Sequence, residues 1–214
     1  MHVEALTNEG RQLFPHLAQF KTFYLVGGTA LALQIGHRLS VDFDMFSFDP
    51  LSEHLLQKIK RVFVGSPLEL TYRAVNQINL IISGVKVTFF HFPYPVIKPF
   101  VIYDKVALAS IEEIAAMKAF ALGQRASYKD YVDWYFMLSE GLINLGEVIA
   151  VAKEKFGGEF NDRLLLGQLL SREDVTVQKI DFLRGEVTPT DIDRVLGEEV
   201  KKYAKDIAIH RPLS

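Results

Sequence analysis

Cysteine is absent from all 214 residues. Disulfides and thiolate metal sites are therefore excluded, and the cytoplasm is the expected compartment. No apolar stretch approaches the ~18 residues that a membrane-spanning helix needs, so no membrane partner is expected. The first residues, Met1-His2-Val3-Glu4, lack a basic segment followed by an apolar run, and no signal peptide is expected. Net charge is also small: 24 Lys and Arg against 26 Asp and Glu give −2. No overall basic field draws the chain onto nucleic acid, although a local basic groove stays open. Internal repeats and low-complexity segments are missing too. What is present is ordinary globular composition, with 49% of residues apolar and 23% charged. That suffices for a sizeable core in one or two domains.

Residues 2–20 read as an opening helix, with Leu6, Leu13, Leu17 and Phe20 on a helical period and Pro15 disturbing the later half. Phe23 to Val26 is a short apolar run ending at two glycines, which reads as a buried strand. Helix formers fill 29–37, and 41–46 reads as a second strand. Ser52 caps a helix expected to run to Phe63. Strand-like runs at 68–74, 78–82 and 85–92 follow, joined by Asn76-Gln77 and Ser83-Gly84 as hairpin turns. Pro93, Pro95 and Pro99 close the strand region. Beyond it, Ser110 with Glu113 and Ser127 with Asp130 are capping-box patterns opening helices at 111–122 and 127–138. Further helices are expected near 146–156, 160–170 and 189–206, with Pro189 in the first turn of the last. The fold class expected is α+β: a mixed sheet flanked by helices over 1–108, then a helical lobe over 109–214.

The chemically informative stretch is 24–46. Gly27 and Gly28 sit between a strand and a helix. Lacking side chains, they let the backbone approach a ligand closely, and the helix start offers N–H groups and a positive dipole end to a phosphate. Thr29 adds a hydroxyl. A tight turn with no ligand would use the same glycines. Asp42 and Asp44 lie two apart on the next strand and project to one side, with Phe43 and Met45 packing behind. Paired carboxylates repel; Mg2+, a hard cation that takes one or two carboxylates plus substrate phosphates, is the natural remedy. A solvated edge strand would also carry Asp-x-Asp, but the flanking Val41, Phe43, Met45 and Phe46 argue against an edge.

This order of parts resembles the nucleotidyltransferase fold of the DNA polymerase β type. More specifically, Gly27-Gly28-Thr29-Ala30-Leu31, Gly36-His37-Arg38, Ser40 and Asp42 to Ser47 are similar to the AbiEii/AbiGii toxin family of nucleotidyltransferases. The similarity continues through Ile114 to Ala119, Arg125, and Lys129 to Tyr135, and covers roughly 20–140. It implies that Asp42 and Asp44 bind Mg2+, that Gly27, Gly28 and Thr29 cradle the phosphates of an NTP, and that Lys118 adds a point charge to the triphosphate. It also implies roles for Arg125, Lys129 and Asp130, with Asp130 a candidate catalytic carboxylate beside Asp42 and Asp44. Asp133 shares a helix face with Asp130, and a surface salt-bridge ladder would show the same pattern. Arg38 and Ser40 either contact substrate or brace the metal loop.

One departure stands out. Polymerase-type transferases usually hold a third carboxylate on a later strand, and the matching position here is Thr88. One metal, recruitment of Asp130 or Asp104, His91 as base, or impaired catalysis would each accommodate it. The aromatic residues Tyr131, Trp134, Tyr135 and Phe136 are expected in a core, although a base-stacking wall would use them too. The run Phe89 to Tyr94 reads more simply as buried strand than as a stacking surface. Lys58, Lys60 and Arg61 form a short basic helix face, expected to be solvated. The function implied is transfer of a nucleoside monophosphate from an NTP to an RNA end (tRNA included) or a protein side chain, as the toxin of a pair with a cognate antitoxin. A non-catalytic nucleotide- or RNA-binding protein and a γ-phosphate phosphotransferase are the alternatives.

Overall fold

The computed structural model describes residues 1–122, 126–172 and 175–210, with residue 210 described by its backbone alone. The chain groups into two compact units: Met1–Ser110 with Asp181–Arg184, and Ile111–Ile180 with Gly185–Ser214. The fold is mixed α+β, with helices flanking a seven-stranded mixed sheet.

The first unit opens as three short pieces rather than one helix. They are a 3-10 turn at Val3–Ala5, α1 (Asn8–Leu13) and a second 3-10 segment at Phe14–Gln19. Thr7 restarts the chain by accepting the Gly10 N–H at 3.1 Å, and Pro15 favours the tighter helix that follows. Then come β1 (Tyr24–Val26), α2 (Gly27–Ile35), β2 (Asp42–Ser47) and α3 (Leu55–Val62). The strands β3 (Leu68–Arg73), β4 (Gln77–Ile82) and β5 (Val85–His91) form a meander. The β4–β5 turn places Ser83 at φ 48 and Gly84 at φ 83, the pair of positive φ values that a two-residue hairpin turn needs.

A further hairpin, β6 (Val101–Tyr103) with β7 (Val106–Leu108), lies in the region expected to carry no strand after the prolines. The sheet order is β3-β4-β5-β2-β1-β7-β6. Its β2–β5 and β1–β7 pairs are parallel and the others antiparallel. One face of the central strands is core: Phe43, Met45, Leu80, Val87 and Phe89 are at most 1% exposed. Phe14 and Phe20 pack onto it, with Phe14–Phe43 centroids at 6.1 Å and Phe20–Phe89 at 4.9 Å.

The second unit is helical: α4 (Ile111–Leu122), α5 (Tyr128–Ser139), α6 (Leu145–Phe156), α7 (Asp162–Leu170) and α8 (Pro189–His210). Helix α4 packs on α6, and α8 on α5 and α7. Tyr131 and Trp134 are fully buried core residues. Glu113 Oε1 accepts from Lys155 Nζ at 3.3 Å, a buried pair joining α4 to α6. Among the described residues no helix is long and apolar enough to cross a membrane.

Candidate active site

Pairing of β1 with β2 sets Val26 opposite Asp44. The turn leaving β1 therefore runs directly past the Asp44 carboxylate. Gly27 has φ +70, and a Cβ there would sit 3.0 Å from Asp44 Oδ2. Glycine is required twice over, by conformation and by space. Beside it, a Cβ on Gly28 would collide with Arg38 Nη2. One glycine thus abuts the carboxylate and the next abuts a guanidinium.

Asp42 and Asp44 alternate with buried Phe43 and Met45 and are themselves half-buried. They share the face away from the core, as period-two geometry requires.

Thr29, Arg38 and Ser40 are buried, at 3%, 3% and 8% exposure. The Thr29 hydroxyl donates to the Asp42 carbonyl, which leaves the Ser40 hydroxyl to donate to Thr29 Oγ1 at 2.7 Å. Arg38 Nη1 donates to the Leu39 carbonyl at 3.1 Å. These three side chains tie α2, the connecting segment and the start of β2 together from inside. The same segment is held by a distant stretch of chain. Leu39 N–H donates to the Asp181 carbonyl at 2.8 Å, Leu183 N–H donates to the His37 carbonyl at 3.0 Å, and Arg38 bridges Phe182.

Parallel pairing of β2 with β5 places Thr88 in register with Asp44 and Lys86 with Asp42, while β4 sets Asn79 opposite Thr88. Asp44, Thr88 and Asn79 make one polar row. Thr88 does stand where a third carboxylate was expected. The other candidates are elsewhere: His91 falls on the alternate parity of β5, in register with Ser47, and Asp104 sits at φ 46 in the exposed β6–β7 turn. Sequence reading missed Lys86. Alternation along 85–90 marks positions 86, 88 and 90 as one face, but only the parallel register attaches that face to β2. Among the described residues no three His, Asp or Glu side chains gather as a metal cluster. Two same-face carboxylates are nevertheless the donor set that Mg2+ takes from a protein when phosphates complete its shell, so the residues present fit that ion.

In the helical unit, Lys118 reaches between two carboxylates, 2.6 Å from Asp130 Oδ1 and 2.7 Å from Asp133 Oδ2. This is no surface ladder: the Asp133 side chain is wholly buried and that of Lys118 is 9% exposed. Burial pushes the Lys118 ammonium down, but Asp133 and Asp130 outweigh it and hold it above its ordinary value. Burial likewise pushes Asp130 up, and Lys118 outweighs that and keeps its carboxyl below the usual range. Ser127 donates to Asp130 Oδ2 at 2.8 Å instead of capping the helix backbone. Lys129 points to solvent. Arg125 lies outside the described residues.

A strand, a Gly-Gly turn into a helix, and a next strand bearing same-face aspartates beside that turn form an arrangement that resembles that of nucleotidyltransferases. The fold has known counterparts of that class. A putative nucleotidyltransferase from H. pylori is similar at TM-score 0.55 and 15% identity, covering 92% of this chain and 96% of that one. The nucleotidyltransferase toxin MenT4 of Mycobacterium tuberculosis H37Rv is similar at TM-score 0.61 and 15% identity, covering 94% and 92%. In sequence, an uncharacterised protein aq_aa25 of Aquifex aeolicus (strain VF5) is 33% identical over 186 residues, 86% of this chain and 89% of its relative. The profile of the family described as nucleotidyl transferase AbiEii toxin, type IV toxin–antitoxin system, matches residues 11–213. The chain belongs to the AbiEii nucleotidyl transferase toxin family.

Proposed function

We propose that the protein transfers a nucleoside monophosphate from an NTP to an RNA end, tRNA included, or to a protein side chain, and acts as the toxin of a pair with a cognate antitoxin. The observation that carries this reading is the contact of Gly27 with Asp44 Oδ2 across the β1–β2 register. It sets the turn that would receive the phosphates beside a carboxylate that would hold the metal. Mg2+ held by Asp42 and Asp44 would neutralise the phosphates and fix the triphosphate for in-line attack. The backbone N–H groups of Gly27 and Gly28 receive phosphate oxygens, with the Arg38 guanidinium behind Gly28 adding positive charge. The acceptor oxygen then bonds to the α-phosphorus, the bond to the bridging oxygen breaks, and pyrophosphate leaves. The acceptor proton passes to a carboxylate of the pair or to solvent, since the Thr88 hydroxyl is no base.

Thr29 and Ser40 support this site from inside. Family resemblance adds Lys118, Arg125, Lys129 and Asp130. An ammonium has three N–H donors, so the two carboxylates on Lys118 do not exhaust it.

Thr88 beside Asp44 favours a second reading, nucleotide or RNA binding without turnover. Transfer of radiolabel separates the readings. Label from α-32P NTP should appear on an acceptor with the wild type and vanish, by a factor of about a hundred or more, with Asp42→Ala plus Asp44→Ala. Label arriving only from γ-32P would make the protein a phosphotransferase. Saturable binding with no transfer would leave only the non-catalytic reading.

A further inference from the structure

Phe46 and Phe90 stand in register on β2 and β5, two residues along from Asp44 and Thr88 and on the same sheet face. Unlike the core phenylalanines on the other face, they are half-buried, as are Phe92 and Tyr94. The four rings form one connected patch: Phe46–Phe90 centroids are 5.1 Å apart, Phe46–Phe92 5.2 Å and Phe92–Tyr94 4.9 Å. Gln77, also half-buried, borders it opposite Phe90. An apolar ring surface of this size next to two carboxylates has no structural need to be open. Period-two alternation holds Phe46 and Phe90 on the Asp44 and Thr88 face, opposite buried Phe43 and Phe89.

We infer that Phe46, Phe90 and Phe92 form the platform on which the base of the incoming NTP stacks, while its phosphates lie at Gly27-Gly28. The inference rests on the transferase reading of the site. The rings lie one strand repeat of two residues, about 7 Å, beyond Asp44 and on the opposite side of it from Gly27-Gly28. An α-phosphate at Asp44 would leave a ribose to span to a base on the rings and the rest of the triphosphate to reach the turn. Stacking accepts any base, because each has a π face, so the platform supplies affinity and position more than base choice.

The test is ligand binding by the full chain in Mg2+, comparing an NTP, 2-aminopurine riboside triphosphate and inorganic tripolyphosphate. With Phe90→Leu plus Phe92→Leu, the NTP Kd should rise about tenfold or more and quenching of 2-aminopurine fluorescence should be lost, with tripolyphosphate affinity unchanged. Phe92→Tyr keeps an aromatic face and should bind NTP as the wild type does; it serves as the check if the double variant does not fold. Unchanged NTP affinity in a folded double variant overturns the inference while the transferase reading stands. So does a loss of RNA affinity alone, which would assign the rings to the acceptor. Failure of the wild type to bind tripolyphosphate through Asp42 and Asp44 overturns the transferase reading itself, and the platform with it.

Discussion

At the scale of single residues, the site depends on what Gly27 and Gly28 lack. Any side chain at 27 would meet Asp44 Oδ2 and would have to adopt φ +70, a conformation costing roughly 1–2 kcal/mol for an L residue. At 28 the backbone is ordinary, and the obstacle is the Arg38 guanidinium. Arg38 is only 3% exposed, so its head group has little room to retreat. Gly28→Ala should therefore strain the packing around Arg38 and force its guanidinium off the turn. Tripolyphosphate affinity, read by isothermal titration, should fall about tenfold, or ~1.4 kcal/mol. Wild-type affinity in this variant would mean that Arg38 adds nothing to the turn. Thr29 is a different case. Its hydroxyl serves the Asp42 carbonyl and Ser40 inside the protein, so Thr29→Val strands two buried polar groups. A cost of about 1–3 kcal/mol in urea unfolding is expected; an unperturbed midpoint would show that those groups find other partners.

At the scale of elements, α4 and α5 are joined by the Lys118 ammonium between Asp130 and Asp133. Removing the cation with Lys118→Met leaves two carboxylates together, one fully buried, and should cost about 3–5 kcal/mol near neutral pH. The signs fix how this varies. Asp130 is held low, so its contribution is present above the ordinary carboxylate range and is lost as pH falls through the lowered value. Lys118 is held high, so its contribution persists to pH values above the ordinary ammonium range. The wild-type triad thus contributes evenly from about pH 5 to pH 9. In the variant, a carboxyl can take up a proton in mild acid, so the penalty should shrink from pH 8 to pH 5. Equal penalties at both would rule out charge as the cause.

These helices were legible in sequence because α4 and α5 have long apolar periods and clear starts, and the Asp-x-Asp face was legible because period two is local. The β6–β7 hairpin was not. Three-residue strands carry no period, and Asp104 and Lys105 take φ 46 and 64 without a glycine to announce it. Nor were the open rings of Phe46 and Phe90 legible, since their exposure follows from a parallel register between strands forty residues apart in sequence.

At the scale of the whole chain, residues 181–184 leave the helical unit and join the first one. There they hydrogen-bond the backbone of His37 and Leu39, on either side of Arg38. The segment that braces the carboxylate strand is thus completed by chain about 140 residues downstream, a long loop to close before the contact can form. Local pattern could not reveal this, because 181–184 has neither strand length nor alternation. The consequence is that the site should be sensitive to a substitution far from it in sequence. Leu183→Pro removes the N–H that donates to the His37 carbonyl at 3.0 Å. The Leu39 amide, bonded to Asp181 in the same bridge, should then exchange with solvent about two- to tenfold faster, since one lost hydrogen bond is worth roughly 0.5–1.5 kcal/mol and each 1.4 kcal/mol is a factor of ten. Nucleotide transfer should fall with it, because Arg38 and Ser40 lose their fixed backbone. Hydrogen exchange by mass spectrometry on the peptide spanning 37–40, set beside the transfer rate, decides the matter. Faster exchange with full activity would show that the downstream strap stabilises the fold without shaping the site.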